Sequence, residues 1–284
     1  MRPLTTVRSL RFTILVDDSL GNPDLQSEHG LSVWIDADHF RVLFDTGQGT
    51  MALQNARRLG FEPAEIDAIA ISHGHYDHTG GMLATLAACQ KAHVFLHPEA
   101  LRGRHASSAG GTVRAVGFPL GAGELFATRK EYVHWTTAVT HLHPAVFTTG
   151  EIPRTYPAEV PAGKFFLDAE CRNPDPFRDE QALAFETGEG VMVFLGCSHA
   201  GVHNALECAL NHSRSGRLRA VVGGMHLGKA SPEAVMQLAD EIEKLHPQLV
   251  CPCHCTGNAA REQLKRRFPD AYFEVRTGST LTFN

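Results

Sequence analysis

Short apolar stretches punctuated by turn formers set the pattern of the N-terminal part of the chain. Leu10 to Val16, Leu31 to Ile35 and Phe40 to Phe44 are rich in β-branched and aromatic residues and lie between Gly, Pro, Asn and Asp clusters, which predicts strands of a meander. From Gly49 to Leu59 the residues Met51, Leu53, Ala56 and Leu59 fall near helical spacing, with Gly60 as a stop signal. Asp67 to Ser72 is a continuous apolar run of the kind found in a strand buried on both faces, and Gly80 to Ala88 has helical composition. The loop between them, Ser72 to Thr79, then sits at a strand's carboxyl end. Alternation resumes with Val191 to Leu195 as strand, Val202 to Leu210 as helix, Ala220 to Val222 as strand, Pro232 to Leu245 as helix and Gln248 to Cys251 as strand. Ser231 is placed to cap the Pro232 helix, with proline at its first position. The scheme is α/β. The middle, about residues 103–179, is rich in Gly, Pro, Ser and His, has little periodicity, and reads as a lid-like or substrate-facing segment. With no internal repeat or low-complexity linker, residues 1–284 are expected to form a single domain.

Composition narrows the function classes. Hydrophobic residues at 43% and charged residues at 20% are average for a globular chain and exclude disorder, collagen and coiled coil. Against 31 acidic residues, 26 basic ones leave a formal charge of -5, so no positive field is available to hold nucleic acid. Apolar runs such as residues 12–16 and 68–71 fall far short of the roughly 20 residues a spanning helix needs, so no membrane partner is expected. Arg2, Arg8 and Arg11 precede Asp17 and Asp18 without an apolar segment of signal-peptide length. Cys251, Cys253 and Cys255, among seven cysteines, crowd too closely for unstrained disulfides, which fits a reduced, cytoplasmic setting. Histidine stands out at 17 residues and points to metal or proton chemistry.

The sharpest concentration is Ser72-His73-Gly74-His75-Tyr76-Asp77-His78-Thr79-Gly80-Gly81. Few structural needs explain four potential metal ligands on one loop. Alternate residues of an extended stretch point the same way, so His73 and His75 can present imidazoles to one ion, while Asp77 and His78, past the turn, can face a second. Gly74, Gly80 and Gly81 let the backbone curl around such a site. Neutral imidazole with carboxylate is the donor set zinc favours, with manganese or iron also accommodated.

His73, His75, Asp77 and His78 match the His-x-His-x-Asp-His signature, and in this the chain resembles the metallo-β-lactamase superfamily. Leu43-Phe44-Asp45-Thr46-Gly47 is similar to that superfamily's first motif, in which the aspartate supports the metal-binding loop from behind. Further stretches resemble one branch, the proteins related to archaeal dihydropterin ribofuranosylaminobenzene phosphate synthase. They are Glu28-His29-Gly30-Leu31-Ser32, Thr149 to Arg154, Gly196-Cys197-Ser198-His199-Ala200-Gly201-Val202, Gly223-Gly224-Met225-His226-Leu227 and Pro252-Cys253-His254-Cys255-Thr256-Gly257.

The resemblance implies a four-layer αβ/βα sandwich with metals at one sheet edge. It implies that His199 and His254, each just after a predicted strand, complete the metal sphere: one ion on His73, His75 and His199, the other on Asp77, His78 and His254. The chain departs from the pattern in one respect, because the Gly-Asp aspartate that bridges the two ions in most superfamily hydrolases is missing. His226, near the comparable position, is either a ligand, a general acid beside the metals or a histidine buried at a strand end.

Other candidates read more plainly. Cys251 to Cys255 has the wrong spacing for a separate zinc site, and its thiols are expected to be buried small residues around His254. Cys197, beside Ser198, reads as packing ahead of a nucleophile, and Asp179-Glu180-Gln181, which precedes an apolar hairpin strand and resembles the family there, reads as a solvated turn ahead of a functional stretch. Arg154, with Lys164, either meets an anionic small-molecule substrate or is surface charge.

Three functions are consistent with these residues. The first is a hydrolase of a small ester, phosphodiester or lactone, using a hydroxide activated by two zinc ions roughly 3.5–4 Å apart, with Asp77 orienting the water and His226 protonating the leaving group. The second is a metal-dependent synthase joining a pterin pyrophosphate to an aminobenzene ribotide. The third is a non-catalytic metal- or pterin-binding protein.

Overall fold

A computed structural model describes residues 6–108, 110–119, 121–156 and 165–284. A seven-stranded sheet runs, edge to edge, through Thr280–Phe283, Leu10–Val16, Ser32–Ala37, Phe40–Phe44, Ala68–Ala70, His93–Leu96 and Val133–Trp135. A six-stranded sheet runs through Leu249–Cys253, Leu218–Gly224, Gly190–Leu195, Leu183–Thr187, Val146–Thr148 and Thr140–His143. Each sheet has an antiparallel part and a parallel part: Phe40–Phe44, Ala68–Ala70, His93–Leu96 and Val133–Trp135 run together, as do Gly190–Leu195, Leu218–Gly224 and Leu249–Cys253.

Two-sided burial follows from alternation along the strands. In Gly190–Leu195, Met192 and Phe194 face the other sheet, while Val191, Val193 and Leu195 face helices. Phe12 and Phe44, from the first sheet, meet the Phe194 ring edge-on with centroids 5.4 and 6.5 Å away. The outer face of the six-stranded sheet is covered by Val202–His212, Pro232–Lys244 and Asn258–Arg267 through Val202, Leu206, Leu238, Ile242 and Leu264. Met51–Arg58 and Met82–Ala88 cover the seven-stranded sheet through Ala52, Ala56, Met82 and Leu86. Helix, sheet, sheet, helix is the expected four-layer order. Each of the Val, Leu, Ile, Met and Phe side chains among these contributes about 1.5–3 kcal/mol when fully withdrawn from water.

Predicted elements recur with small shifts at their ends. Leu10–Val16 and Phe40–Phe44 keep their bounds, and Ser231 caps the Pro232–Lys244 helix by accepting from Ala234 N. Two regions differ. The second half of the histidine loop is a helical turn, Tyr76–Thr79, because Gly80 N donates to Tyr76 O and Thr79 Oγ1 to His75 O. Gly80 and Gly81 permit it by close approach: a Cβ on them would stand 2.1 Å from Gln48 O and 2.2 Å from Thr46 O.

The middle segment is built into the fold more than its composition suggests. Val133–Trp135 edges the first sheet, and Thr140–His143 and Val146–Thr148 belong to the second. Phe165–Phe166, His105–Ser107 and Val113–Ala115 form a separate three-stranded sheet.

Candidate metal centre

Parallel strands place the chemistry. Asp45 follows Phe40–Phe44, the histidine loop follows Ala68–Ala70, and Cys197 and His199 follow Gly190–Leu195. His226 follows Leu218–Gly224, and His254 follows Leu249–Cys253. All of them lie at strand carboxyl ends, the edge where α/β sheets leave backbone free to build sites. Asp45, Ser198, His226 and His254 hold positive φ, of 57°, 65°, 49° and 49°, a costly conformation for residues with side chains that tends to persist at functional sites.

The structure brings the six predicted ligands into two adjoining groups. In the first, the ring centroids of His73 and His75 are 4.7 Å apart, and those of His199 lie 5.1 and 5.0 Å from them. In the second, His78 Nε2 and His254 Nε2 are 3.2 Å apart, with Asp77 Oδ2 3.6 and 3.4 Å from them. All six residues are buried.

Imidazoles are oriented from behind. Asp45 Oδ2 lies 2.6 Å from His78 Nδ1, and Asp18 Oδ1 lies 2.7 Å from His254 Nδ1. Ser72 Oγ donates to Asp45 Oδ2 at 2.7 Å and stands 2.9 Å from His73 Nδ1. Each arrangement suits a proton on Nδ1 and leaves Nε2 with its lone pair turned inward.

The electrostatics divide between the two groups. Burial pushes His75 down to about 3 and drives His73 and His199 well below the ordinary imidazole range, so these rings are neutral and their lone pairs are available. Burial opposes charge on Asp77, yet His78, His254 and His75 hold its carboxyl well below the usual range. His254 is opposed by burial too, but Cys255, Asp18 and Asp77 lift it well above its ordinary value, and surroundings that favour a proton there also favour a metal cation.

The donors fit a cation on a second ground. His75 Nε2 and both ring nitrogens of His199 are buried without a hydrogen-bond partner, and an orphaned polar atom of this kind costs roughly 1–3 kcal/mol unless something satisfies it.

His226 joins the edge of the first group, its ring 4.5 Å from that of His199 and its Nδ1 without a partner. Burial works against a proton on it, while Cys255 and Glu180 raise its pKa. Phe165 and Phe177 form an apolar wall: Phe165 lies 4.8 Å from His75, and Phe177 stacks on His199 at 4.2 Å. Arg154 is not brought into the histidine groups; it is exposed, and its Nη2 donates to Pro176 O at 2.8 Å. Lys164 lies outside the described residues.

The expectation of a solvated turn at Asp179-Glu180-Gln181 is wrong. All three residues are buried, because each closes a polar contact beneath the site. Asp179 Oδ2 accepts from Gly74 N at 2.6 Å, the Glu180 carboxylate accepts from His199 N and Ala200 N, and Gln181 N donates to Ser72 O at 2.9 Å. Burial pushes Glu180 up to about 7 despite those N–H donors.

Arg104, which carries no signal in the sequence, is buried and donates to Asp175 Oδ2 and Asp179 Oδ1 at 2.6 Å each. Its isolation in a loop 71 and 75 positions from those partners hides it. His29, inside a quoted stretch but without an assigned role, has its Nε2 3.4 Å from Asp77 Oδ2 and its Nδ1 3.0 Å from Asp18. Cys251 and Cys253 are buried between the sheets as expected, whereas Cys255 is half-buried beside His226.

Two facing sheets with histidines at their shared edge define a class. The chain belongs to the metallo-beta-lactamase superfamily, whose family model matches residues 27–208. It is 29% identical over 295 aligned positions to the 7,8-dihydropterin-6-methyl-4-(beta-D-ribofuranosyl)-aminobenzene-5'-phosphate synthase of Methanocaldococcus jannaschii, an alignment covering 98% of each chain. A solved structure described as a metal-dependent hydrolase of the beta-lactamase superfamily superposes with a TM-score of 0.81 at 33% identity, covering 96% of this chain and 98% of that one. Zinc-bound PqqB from Methylobacterium extorquens shares the fold at a TM-score of 0.58 and 11% identity, over 95% of this chain and 99% of its own. The branch resemblance therefore runs along nearly the whole chain.

Proposed function

We propose that the protein is a metal-dependent hydrolase of small esters, phosphodiesters or lactones. His73, His75 and His199 would hold one ion and Asp77, His78 and His254 a second, with zinc matching the donor set and manganese or iron accommodated. Ions bound there supply Lewis acidity toward a carbonyl or phosphoryl oxygen and acidify water toward neutrality. The observation that carries this reading is the set of buried, unpartnered nitrogens at His75 and His199 beside the converging Asp77, His78 and His254.

The chain's own groups divide the remaining work. Asp77, held anionic, accepts a hydrogen bond from the attacking water and orients it. His226, whose proton is favoured by Cys255 and Glu180, protonates the leaving group through its free Nδ1. The Phe165 and Phe177 rings exclude bulk water from one side of the site and strengthen these polar interactions. Arg154, exposed and bound to the Pro176 carbonyl 22 positions away, would meet an anionic substrate from outside the histidine groups.

A second reading is favoured by the 29% identity to a synthase over 98% of both chains: a metal-dependent joining of a pterin pyrophosphate to an aminobenzene ribotide. Turnover of a chromogenic phosphodiester that falls to background in His75→Ala supports the hydrolase. Turnover of the pterin pyrophosphate without diester hydrolysis supports the synthase. Metal bound with neither turnover leaves a metal- or pterin-binding protein, and less than one ion per purified chain contradicts both enzymes.

A further inference from the structure

Cys197 follows the strand Gly190–Leu195 and is buried beneath the site. Its Sγ and ring nitrogens of His73 and His199 all lie within 4.8 Å of one another. The same is true of its Sγ with ring nitrogens of His78 and His254. The thiol is thus common to both halves of the site, and it stands 3.2 Å from His78 Nε2.

Other atoms point to a ligand here independently of the sulfur. Both ring nitrogens of His199 are buried without partners, as is His75 Nε2. The nearby carboxylates are committed elsewhere. Asp45 and Asp18 bind the far, Nδ1, sides of His78 and His254, and Glu180 accepts from the His199 and Ala200 backbone. A pair of divalent ions in this site would be met by one ligand carboxylate, Asp77, so an added anion between them is electrostatically favoured.

We propose that Cys197 is itself a metal ligand, its thiolate shared between the ion of the His73 half and the ion of the His78 half. Thiolate and imidazole together are a favoured zinc donor set. Coordination deprotonates the thiol, and its proton leaves to solvent. The inference rests on the metal-binding reading above and adds a ligand to it. Cys255 is the competing sulfur, but it is grouped with His226 and Cys197, and its Sγ accepts from His226 N at 3.2 Å.

Cobalt substitution tests the assignment. The full chain and its Cys197→Ser and Cys255→Ser variants are loaded with Co(II), the bound metal is counted, and the absorption spectra are compared. The wild type and Cys255→Ser are expected to show an intense near-ultraviolet sulfur-to-cobalt charge-transfer band. Cys197→Ser is expected to lose that band while retaining the visible cobalt bands. X-ray absorption of the zinc-loaded wild type, readable even if the serine variant does not fold, is expected to show a sulfur scatterer near ~2.3 Å beside nitrogen and oxygen.

Persistence of the band in Cys197→Ser, or its loss only in Cys255→Ser, overturns the proposal. So does cobalt bound by the wild type with no band and no sulfur scatterer, which leaves the metal-binding reading intact. A wild type that retains no cobalt overturns that reading as well.

Discussion

Asp45 shows how one carboxylate orients two imidazoles. Its Oδ1 accepts from Ser72 N at 2.7 Å, and its Oδ2 meets both Ser72 Oγ at 2.7 Å and His78 Nδ1 at 2.6 Å. Ser72 Oγ passes the effect to His73. In Asp45→Asn the amide has one acceptor oxygen where the carboxylate has two, so it cannot satisfy Ser72 N, Ser72 Oγ and His78 together. Metal affinity measured by chelator competition is expected to fall by about 10–100-fold, the usual effect of losing a group that orients a ligand from behind. An unchanged affinity would mean that the Asp45 contact is packing alone.

The segment from Asp175 to Gln181 works as a unit that ties the site together. Through Asp179 it holds the backbone of Gly74, through Glu180 the start of the His199 turn, and through Gln181 the end of the Ala68–Ala70 strand. Arg104 is its counter-charge. Arg104→Met leaves Asp175 and Asp179 buried without their partner, and denaturant unfolding is expected to show a loss of about 3–5 kcal/mol. A loss within error of zero would show that the two carboxylates shed their charge without cost.

None of this clamp was legible beforehand, because three polar residues in a row read as solvated when their partners lie far along the chain. Asp179 meets Gly74 across 105 positions, and no local pattern records that pairing. The strands were legible for the opposite reason: two-sided burial demands continuous apolar runs such as Val191 to Leu195, which leave their mark in the local sequence. The histidine loop was legible as chemistry, since its ligand density has no cheaper structural explanation, but not as a helical turn, which depends on Gly80 and Gly81 approaching Gln48 and Thr46.

At the scale of the molecule, two sheets packed face to face bring parallel-strand carboxyl ends to one edge from both halves of the chain. His73 to His78 come from the seven-stranded sheet, and His199, His226 and His254 from the six-stranded one. The inter-sheet core, with Phe12 and Phe44 against Phe194, is what fixes the distance between the halves of the site. The most direct test of the account is a crystal structure of the zinc-loaded protein with anomalous diffraction recorded at the zinc edge. The account predicts one peak among His73, His75 and His199 and a second among Asp77, His78 and His254. Zinc held elsewhere on the chain, or His199 and His254 turned away from residues 73–78 in the loaded crystal, would contradict it.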